Sequence, residues 1–241
     1  MFKQFITDPS YMLKYALKNM TFLVLSCLIL FSWTSTIDAF HLFWLWLAGL
    51  VLFVLPFFWL IFLSGLFYIS LYLYTNSQSV SAIHFLWIPV GVLLGTMSAA
   101  IMHNAAHDNL RPKWANNLIG ELCGLFQVTG FAGWRIAHMI HHSHPDIPGK
   151  DPHPPMNLTY SQYANTMGVM MKDALTKKYF DVMGVSPKTS LIWSTVLKLS
   201  PMIRCLRVLV VLLLLGPTLF VFLYVPFKIA NALIYIDFNY R

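Results

Sequence analysis

Long charge-free stretches dominate the first half of the chain. No Asp, Glu, Lys or Arg lies between Lys18 and Asp38, and none lies from Ala39 to His107. A membrane-spanning helix needs about 20 consecutive apolar residues, so these stretches have room for more than one span. A soluble protein with a very large buried core would still need charged outer faces on its helices. The pattern therefore predicts a multi-pass membrane protein.

Polar breaks divide the apolar sequence into segments. The strongest are Thr21–Ile37, Phe40–Thr75, Ala82–Met102 and Val208–Pro226, the last followed by Phe227–Tyr240. The second is too long for one straight crossing, because about 36 helical residues extend roughly 54 Å and the hydrocarbon core is about 30 Å thick. Pro56 lies near the middle of this segment and would kink or divide the helix.

The region between the third and fourth segments mixes polar, histidine-rich sequence with short apolar patches. Within it, Tyr160–Phe180 is typical of an amphipathic helix at the membrane interface. If the N-terminus and this region share one side of the membrane, an even number of crossings must precede His103. Three apolar segments precede it, so either Phe40–Thr75 crosses twice or one segment lies in the membrane without spanning it.

The composition agrees with a membrane location and argues against nucleic acid as a partner. Hydrophobic residues make up 58% of the 241 residues and charged residues 10%, whereas soluble domains have roughly 25% charged residues. Basic residues, which give a formal net charge of +7, cluster in Lys3–Lys18 and again from Arg111 to Arg207. Lys and Arg beside spans favour the cytoplasmic side. No stretch concentrates them into the basic face that DNA binding requires.

Most of the histidines lie in one short region, in two sets with helical spacing. The sets are the HxxxH pair His103 and His107 and the HxxHH set His138, His141 and His142, with 30 residues between them. Residues three or four apart share one face of a helix, so each set can direct its imidazoles at one centre. Imidazole binds iron, zinc, copper and nickel. Five nitrogens exceed the four ligands of a tetrahedral zinc site, which favours two metals or one metal of higher coordination number.

A longer run of residues around the two sets carries a family resemblance. It comprises His103-Asn-Ala-Ala-His107-Asp, Asn116/Asn117-Leu-Ile-Gly120, Trp134-Arg135-x-x-His138-x-x-His141-His142 and Asp151-Pro152. With these motifs, residues 80–240 resemble the membrane fatty acid desaturase family. That family shares its histidine boxes with related lipid hydroxylases and carotenoid ketolases.

The resemblance implies an all-α fold, a multi-pass membrane helical bundle with a cytoplasmic histidine-rich cap, which residues 1–241 would form as a single domain. It implies a di-iron centre that activates O2 and removes hydrogen from an unactivated carbon of a fatty acyl chain in lipid metabolism. The iron ligands would be His103, His107, His138, His141 and His142. Electrons would come from a separate donor such as ferredoxin or a cytochrome b5-like protein, because the sequence contains no flavin or iron–sulfur motif.

One element of the family pattern is missing from this sequence. The family carries a third box, HxxHH or QxxHH, after its last spans. Here the last histidine is His153, and the sequence ends at Arg241 directly after an apolar segment. We therefore expect the chain to be truncated before the third histidine box. Five matched ligands are too few to hold two irons fully.

The remaining histidines are weaker candidates for metal ligands. His84 precedes His103 by 19 residues, a helical separation of about 28 Å, so we expect it near the far side of the bilayer. His41 begins the second apolar segment and is expected at the interface. His144 could contact a ligand through a hydrogen bond or face solvent more readily than bind metal. His153 is expected to be a loop residue.

Four residues beside the boxes have two interpretations each. Asp108 and Asp151 could orient ligating imidazoles through hydrogen bonds or simply solvate a loop. Trp134 and Arg135 could line a substrate or headgroup site or anchor the chain at the interface.

Two other functions stay open from the sequence. Hydroxylation or ketolation of a carotenoid, alkane or other apolar substrate uses the same boxes. An alternative of another class is a non-catalytic membrane protein that binds metal or haem through these histidines, although the adjacent His141 and His142 make haem binding awkward. The acyl chain length, the acyl carrier, the double-bond position and the oligomeric state also stay open.

Overall fold

Helices form all the regular secondary structure in the described part of the chain. The computed structural model describes residues 1–34, 81–153 and 158–240. Its α-helices are α1 (Phe2–Thr7), α2 (Tyr11–Thr34), α3 (Trp87–Ala106), α4 (Ala115–Phe126), α5 (Phe131–Ser143), α6 (Tyr160–Met183), α7 (Pro187–Leu219) and α8 (Val225–Tyr240). A 3₁₀ helix (Ala82–Leu86) precedes α3, and a π-helical turn (Phe220–Tyr224) joins α7 to α8. The predicted all-α class is confirmed.

Three stretches of the described residues are long and apolar enough to cross a membrane. They are Tyr11–Leu30, Ala82–Ala106 and Pro187–Asp237. This confirms the predicted multi-pass helical bundle, whereas the side of the membrane on which the histidines lie stays a prediction. The second predicted segment, Phe40–Thr75 with Pro56 and His41, lies outside the described residues, and so does the number of crossings before His103.

Helix α2 begins well before the first predicted segment, Thr21–Ile37. It starts at Tyr11 and contains Lys14 and Lys18 in its first turns. Lys14 remains exposed there and forms an ion pair with Asp8 at 2.8 Å. The absence of charge marks the apolar centre of a membrane helix, not its ends, because lysine side chains extend from the end of a helix to water.

The segment predicted as a span over Val208–Pro226 belongs to a longer helical run that is broken inside. The run from Pro187 to Asp237 has 51 residues, which would be roughly 76 Å long if straight, far more than one crossing needs. Gly216 interrupts it with φ 70° and ψ 164°, a left-handed conformation that suits glycine, and Pro217 follows. The predicted bounds are therefore wrong, because the break falls inside them.

The segments on either side of the break pack against different partners. Helix α8 lies against α3, where Gly91 and Gly95 are buried. A Cβ atom at Gly91 would overlap the carbonyl oxygen of Leu223, and one at Gly95 would overlap that of Phe227. Small residues four apart allow two membrane helices to approach this closely. This contact fixes α3, and with it the first histidine pair, against the C-terminal helix.

Helix α7 packs against α2 through a buried apolar cluster. The cluster consists of Ala16, Leu23, Cys27, Ile203, Leu206 and Val210. Helix α4 then connects this pair to the α3–α8 pair. Tyr15 of α2 donates a hydrogen bond to Glu121 of α4 at 2.9 Å, and Tyr224 donates to the carbonyl oxygen of Phe126 at 2.8 Å.

Helices α1, α5 and α6 form the layer that bears the second histidine set. They share with α2 and α7 a buried cluster of Phe5, Met12, Ile136, Ile140, Tyr179, Trp193 and Val196. The helix predicted over Tyr160–Phe180 is confirmed as α6, three residues longer at its end. It begins with a capping box in which Thr159 and Gln162 bond each other's backbone N–H groups. Its position at the membrane interface stays a prediction.

Candidate metal centre

The predicted ligands lie on two helices that meet end to end. His103 and His107 close α3, and His138, His141 and His142 lie on α5. The start of α5 is fixed on the end of α3, because Phe131 is completely buried in a cluster with Met102, Ala105 and Ala106. Apolar packing thus brings the two histidine sets together across a separation of 30 residues.

Asn116 and Gly120 hold in position the loop and helix that lie between the two histidine sets. The buried Asn116 amide donates to the carbonyl oxygens of Leu110 (3.1 Å) and Lys113 (2.8 Å) and accepts from the Leu110 N–H at 2.9 Å. A Cβ atom at Gly120 would overlap the ring of Phe131. These two residues of the Asn-Asn-Leu-Ile-Gly run therefore position the helices that carry the histidines.

Four of the five histidines converge on one point. The Nε2 atom of His107 lies 3.0 Å from that of His138 and 3.1 Å from that of His142, and the latter two are 3.1 Å apart. The ring of His103 completes the group, with its centroid 4.7 Å from those of His107 and His138. One nitrogen from each of the four lies within 4.8 Å of the others.

The spacing of these nitrogens allows one metal ion to bind them together. Two nitrogens bound to one metal at about 2.1 Å lie roughly 3.0–3.4 Å apart, depending on the angle between them. The three observed separations of 3.0–3.1 Å lie in this range. Three imidazole nitrogens and a fourth nearby are a donor set that iron accepts. The residues present therefore fit an iron ion.

Burial keeps the central imidazole uncharged. Burial, with the neighbouring histidines His103, His142, His107 and His141 adding to it, lowers the pKa of His138 to about 3. The pKa of His142 is lowered as well, by burial and by His107 and His141. A neutral imidazole offers the lone pair that a metal needs, so both side chains are in the binding form at neutral pH.

The fifth predicted ligand, His141, is directed away from the other four. Its Nδ1 lies 2.9 Å from Oδ1 and 3.0 Å from Oδ2 of Asp151, and its ring centroid is 4.0 Å from that of His153. These three residues form a second group whose possible ligand atoms lie within 4.8 Å of one another. Of the two interpretations of Asp151, the structure favours the one in which it orients an imidazole.

Helix geometry explains why the HxxHH set divides. Successive residues are rotated by about 100°, so residues four apart lie within about 40° of each other and adjacent ones do not. His138 and His142 therefore face one centre, and His141 projects to the side where the loop carrying Asp151 and His153 returns. Shared spacing alone did not distinguish these directions.

The Asp151 carboxylate is held rigidly by the loop. It accepts hydrogen bonds from the backbone N–H groups of Asp146 (2.6 Å) and His153 (2.9 Å) in addition to its contact with His141. Burial alone would raise the pKa of Asp151, but these hydrogen bonds outweigh it and lower the pKa. Burial and the nearby His141 lower the pKa of His153 to about 4. The carboxylate is therefore ionised beside a neutral His153.

Three residues beside the boxes make contacts that the sequence analysis did not predict. Trp134 stacks on His138, with ring centroids 4.8 Å apart and ring planes 12° apart. Asp108 forms an ion pair with Arg135, which connects the loop after α3 to α5. Trp134 precedes His138 by four residues, a spacing that already placed it on the same helix face. The Asp108–Arg135 contact had no such local signal.

The other histidines of the described residues lie outside the four-histidine group. His84 is at the opposite end of the α3 span, bonded to the backbone N–H of Ser81 at 3.0 Å, as its distance from His103 predicted. His153 lies in a loop, as predicted, but contacts His141. His144 lies just after α5, and its Nδ1 is buried without a hydrogen-bond partner among the described residues.

Comparison with known proteins matches most of the region that bears these residues. The sequence model of the family described as fatty acid desaturase matches residues 81–240, about two thirds of the chain. No curated protein and no solved structure matches the chain. The matched residues include both histidine sets, Asp151 and the helices α3 to α8.

Proposed function

Because the chain belongs to the fatty acid desaturase family, we propose that it catalyses the O2-dependent desaturation of a fatty acyl chain at an iron centre on its histidine cap. The observation that carries this proposal is the convergence of His107, His138 and His142 with separations of 3.0–3.1 Å. Imidazole nitrogens so arranged are a donor set that iron accepts.

In this proposal the chain supplies the metal ligands and their orientation. His103, His107, His138 and His142 would hold one iron. His141 would be the first ligand of a second iron, because Asp151 contacts its Nδ1 and leaves Nε2 available, the usual arrangement of a metal-binding histidine. Iron with O2 would supply an oxidant strong enough to break an unactivated C–H bond, which acids and bases cannot do.

The location of the centre supports a lipid substrate. His103 and His107 end a helix that is long and apolar enough to span a membrane. An acyl chain in the bilayer therefore has a short path to the four histidines, and the completely buried Phe131 and Met102 give the first pair an apolar support on the protein side. Electrons come from a separate donor such as ferredoxin or a cytochrome b5-like protein, at the side with more Lys and Arg, which we infer to be cytoplasmic.

The proposal is tested by metal content and product analysis together. The chain is purified in detergent without oxygen, loaded with ferrous iron, and supplied with acyl lipid, O2 and a reduced electron donor. A new double bond detected by gas chromatography and mass spectrometry is the expected product. An added oxygen would favour hydroxylation or ketolation, and bound iron without any product would favour a non-catalytic metal-binding protein.

A matched pair of variants distinguishes loss of the metal centre from a general loss of folded protein. His138→Ala removes the central ligand and is expected to abolish tight iron binding and product formation. His84→Ala removes a histidine at the opposite end of the α3 span and is expected to leave both unchanged. Equal iron binding by the two variants would contradict the four-histidine centre.

A further inference from the structure

A basic cavity lies between the end of α5 and helix α6, on the part of the fold that also includes α1. Its volume is about 250 Å³. Lys150, Lys177 and Lys178 line it, together with Ser143 and His144. The proposed iron centre uses none of these side chains, so the cavity requires a separate explanation.

The three ammonium groups form no ion pair with a carboxylate of the described residues. Among the residues that the structure describes, the ion pairs are elsewhere, and no carboxylate oxygen lies within 4 Å of the Nζ atom of Lys150, Lys177 or Lys178. Lys177 makes one hydrogen bond, to the carbonyl oxygen of Gly149 at 3.3 Å. Asp181 is the one acidic residue among the lining residues. Three like charges around one small space repel each other, and an anion bound between them would relieve that repulsion.

The cavity lies on the face of α5 opposite the metal centre. Ile140, which lines the cavity, is two residues from both His138 and His142, a rotation of about 200° around the helix. Loss of the iron ligands would therefore leave the cavity intact. Phe2, Ile140 and Ala174 give the cavity an apolar wall, which suits a ligand with a nonpolar part beside its charge.

We propose that this cavity binds a phosphate group that carries an apolar substituent. A phosphate presents several strong acceptor oxygens and up to about two negative charges, which matches several ammonium donors better than a single carboxylate does. Lysine binds phosphate as a point charge and needs no planar geometry. Two sources share this chemistry, namely the headgroup of an anionic phospholipid and a soluble phosphate ester. The proposal does not depend on the proposed oxidase activity.

Binding measurements on the whole chain in a maltoside detergent test the proposal at constant ionic strength. The probes are inorganic phosphate and dispersed phosphatidate, each titrated separately against intrinsic tryptophan fluorescence and the thermal unfolding midpoint. Lys178→Gln removes one lining charge, and Lys172→Gln removes an exposed charge of the same helix that does not line the cavity. We expect Lys178→Gln to weaken binding about tenfold, the effect of one charge-assisted hydrogen bond, and Lys172→Gln to change it little.

The outcomes distinguish the two sources and the alternatives. Binding of phosphatidate alone supports a lipid headgroup as the ligand. Binding of inorganic phosphate alone supports a soluble phosphate ester. Either result supports the phosphate site if Lys178→Gln weakens the binding. Binding by neither probe, or equal weakening in Lys172→Gln and Lys178→Gln, would overturn the proposal. His138→Ala should bind the probes as the parent chain does, which separates this site from the metal centre.

Discussion

The indole of Trp134 lies nearly parallel to the imidazole of His138, with ring centroids 4.8 Å apart and planes 12° apart. The two residues are one helical turn apart on α5, so the contact is set by a single helix. Stacking restricts rotation of the imidazole ring about the bonds of its side chain. His138 is therefore held in the orientation in which its Nε2 faces His107 and His142.

Replacing Trp134 by alanine should weaken metal binding although no ligand is lost. Residues that orient metal ligands typically change metal affinity by about 10- to 100-fold when they are removed, and we expect the lower end of that range. Trp134→Phe retains a stacking ring and should bind metal nearly as the parent chain does. Titration with Co²⁺, followed by its visible absorption, measures the affinity.

The control for this experiment is Trp114→Ala. Trp114 is 66% exposed and lies outside the histidine group, so its removal should leave Co²⁺ affinity unchanged. If Trp134→Ala and Trp114→Ala behave alike, the stacked ring has no part in orienting His138.

Gly95→Ala should destabilise the helix pair α3–α8. The added methyl group would overlap the carbonyl oxygen of Phe227, a backbone atom that cannot move aside without shifting α8. Overpacking of this kind costs about 1–3 kcal/mol. The midpoint of thermal unfolding in detergent, followed by circular dichroism, should fall, and bound metal should fall with it because α3 carries His103.

Gly168→Ala is the matched control for the glycine substitution. Gly168 lies inside α6, and apart from its chain neighbours and the backbone of its own helix no described atom lies within 4 Å of the position of an added Cβ. Alanine in a helix interior is more favourable than glycine by about 0.5–1 kcal/mol, so this variant should be slightly more stable than the parent chain. A fall in stability as large as that of Gly95→Ala would contradict the packing described for α3 and α8.

The features that the sequence revealed are those encoded in local periodicity. Helix spacing was sufficient to predict that His138 and His142 face one centre, as His107 also does, and charge-free stretches were sufficient to predict the helical class; that these residues bind metal stays a prediction. The position of His141 was not accessible in this way. Its direction is decided by Asp151, ten residues further on, through a loop whose path depends on tertiary packing.

Breaks and long-range pairs were likewise invisible to local patterns. The interruption at Gly216 lies within uniformly apolar sequence, where hydrophobicity gives no sign of a change of direction; Gly followed by Pro was the available signal. The contact of Tyr15 with Glu121 joins residues 106 positions apart. Such pairs follow from which helices pack together, and spacing along the chain carries no information about them.

Glu121 should make stability depend on pH. Burial raises the pKa of its carboxyl group, although Tyr15, Arg207 and Lys18 each act to lower it. The folded chain thus binds a proton more tightly than the unfolded chain does, so this residue costs stability as pH rises through the folded pKa. The facing groups are Tyr15 and Lys18 of α2 and Arg207 of α7.

Glu121→Gln removes that titration and is the test. The variant should gain thermal stability relative to the parent chain at about pH 7, and the gain should shrink at about pH 5, where the carboxyl group is closer to its protonated form. Asp173→Gln, at an exposed position of α6, should produce no such difference. A gain that is constant between the two pH values would show that the charge of Glu121 is not the cause.

Asp151→Asn should affect the metal bound at His141 and spare the four-histidine centre. The carboxylate accepts hydrogen bonds from His141 and from two backbone N–H groups. An amide of the same shape would turn its NH₂ group toward one of these donors and lose the negative charge that holds the Nδ1–H of His141. Affinity for the metal ligated by His141 should therefore fall by about 10- to 100-fold.

Anaerobic titration with Fe²⁺ measures this, because the tight phase assigned to His103, His107, His138 and His142 should remain while the weaker phase disappears. Asp173→Asn is the matched control and should retain both phases. If Asp151→Asn removes the tight phase instead, the two groups of residues act as one site and the division between them is wrong.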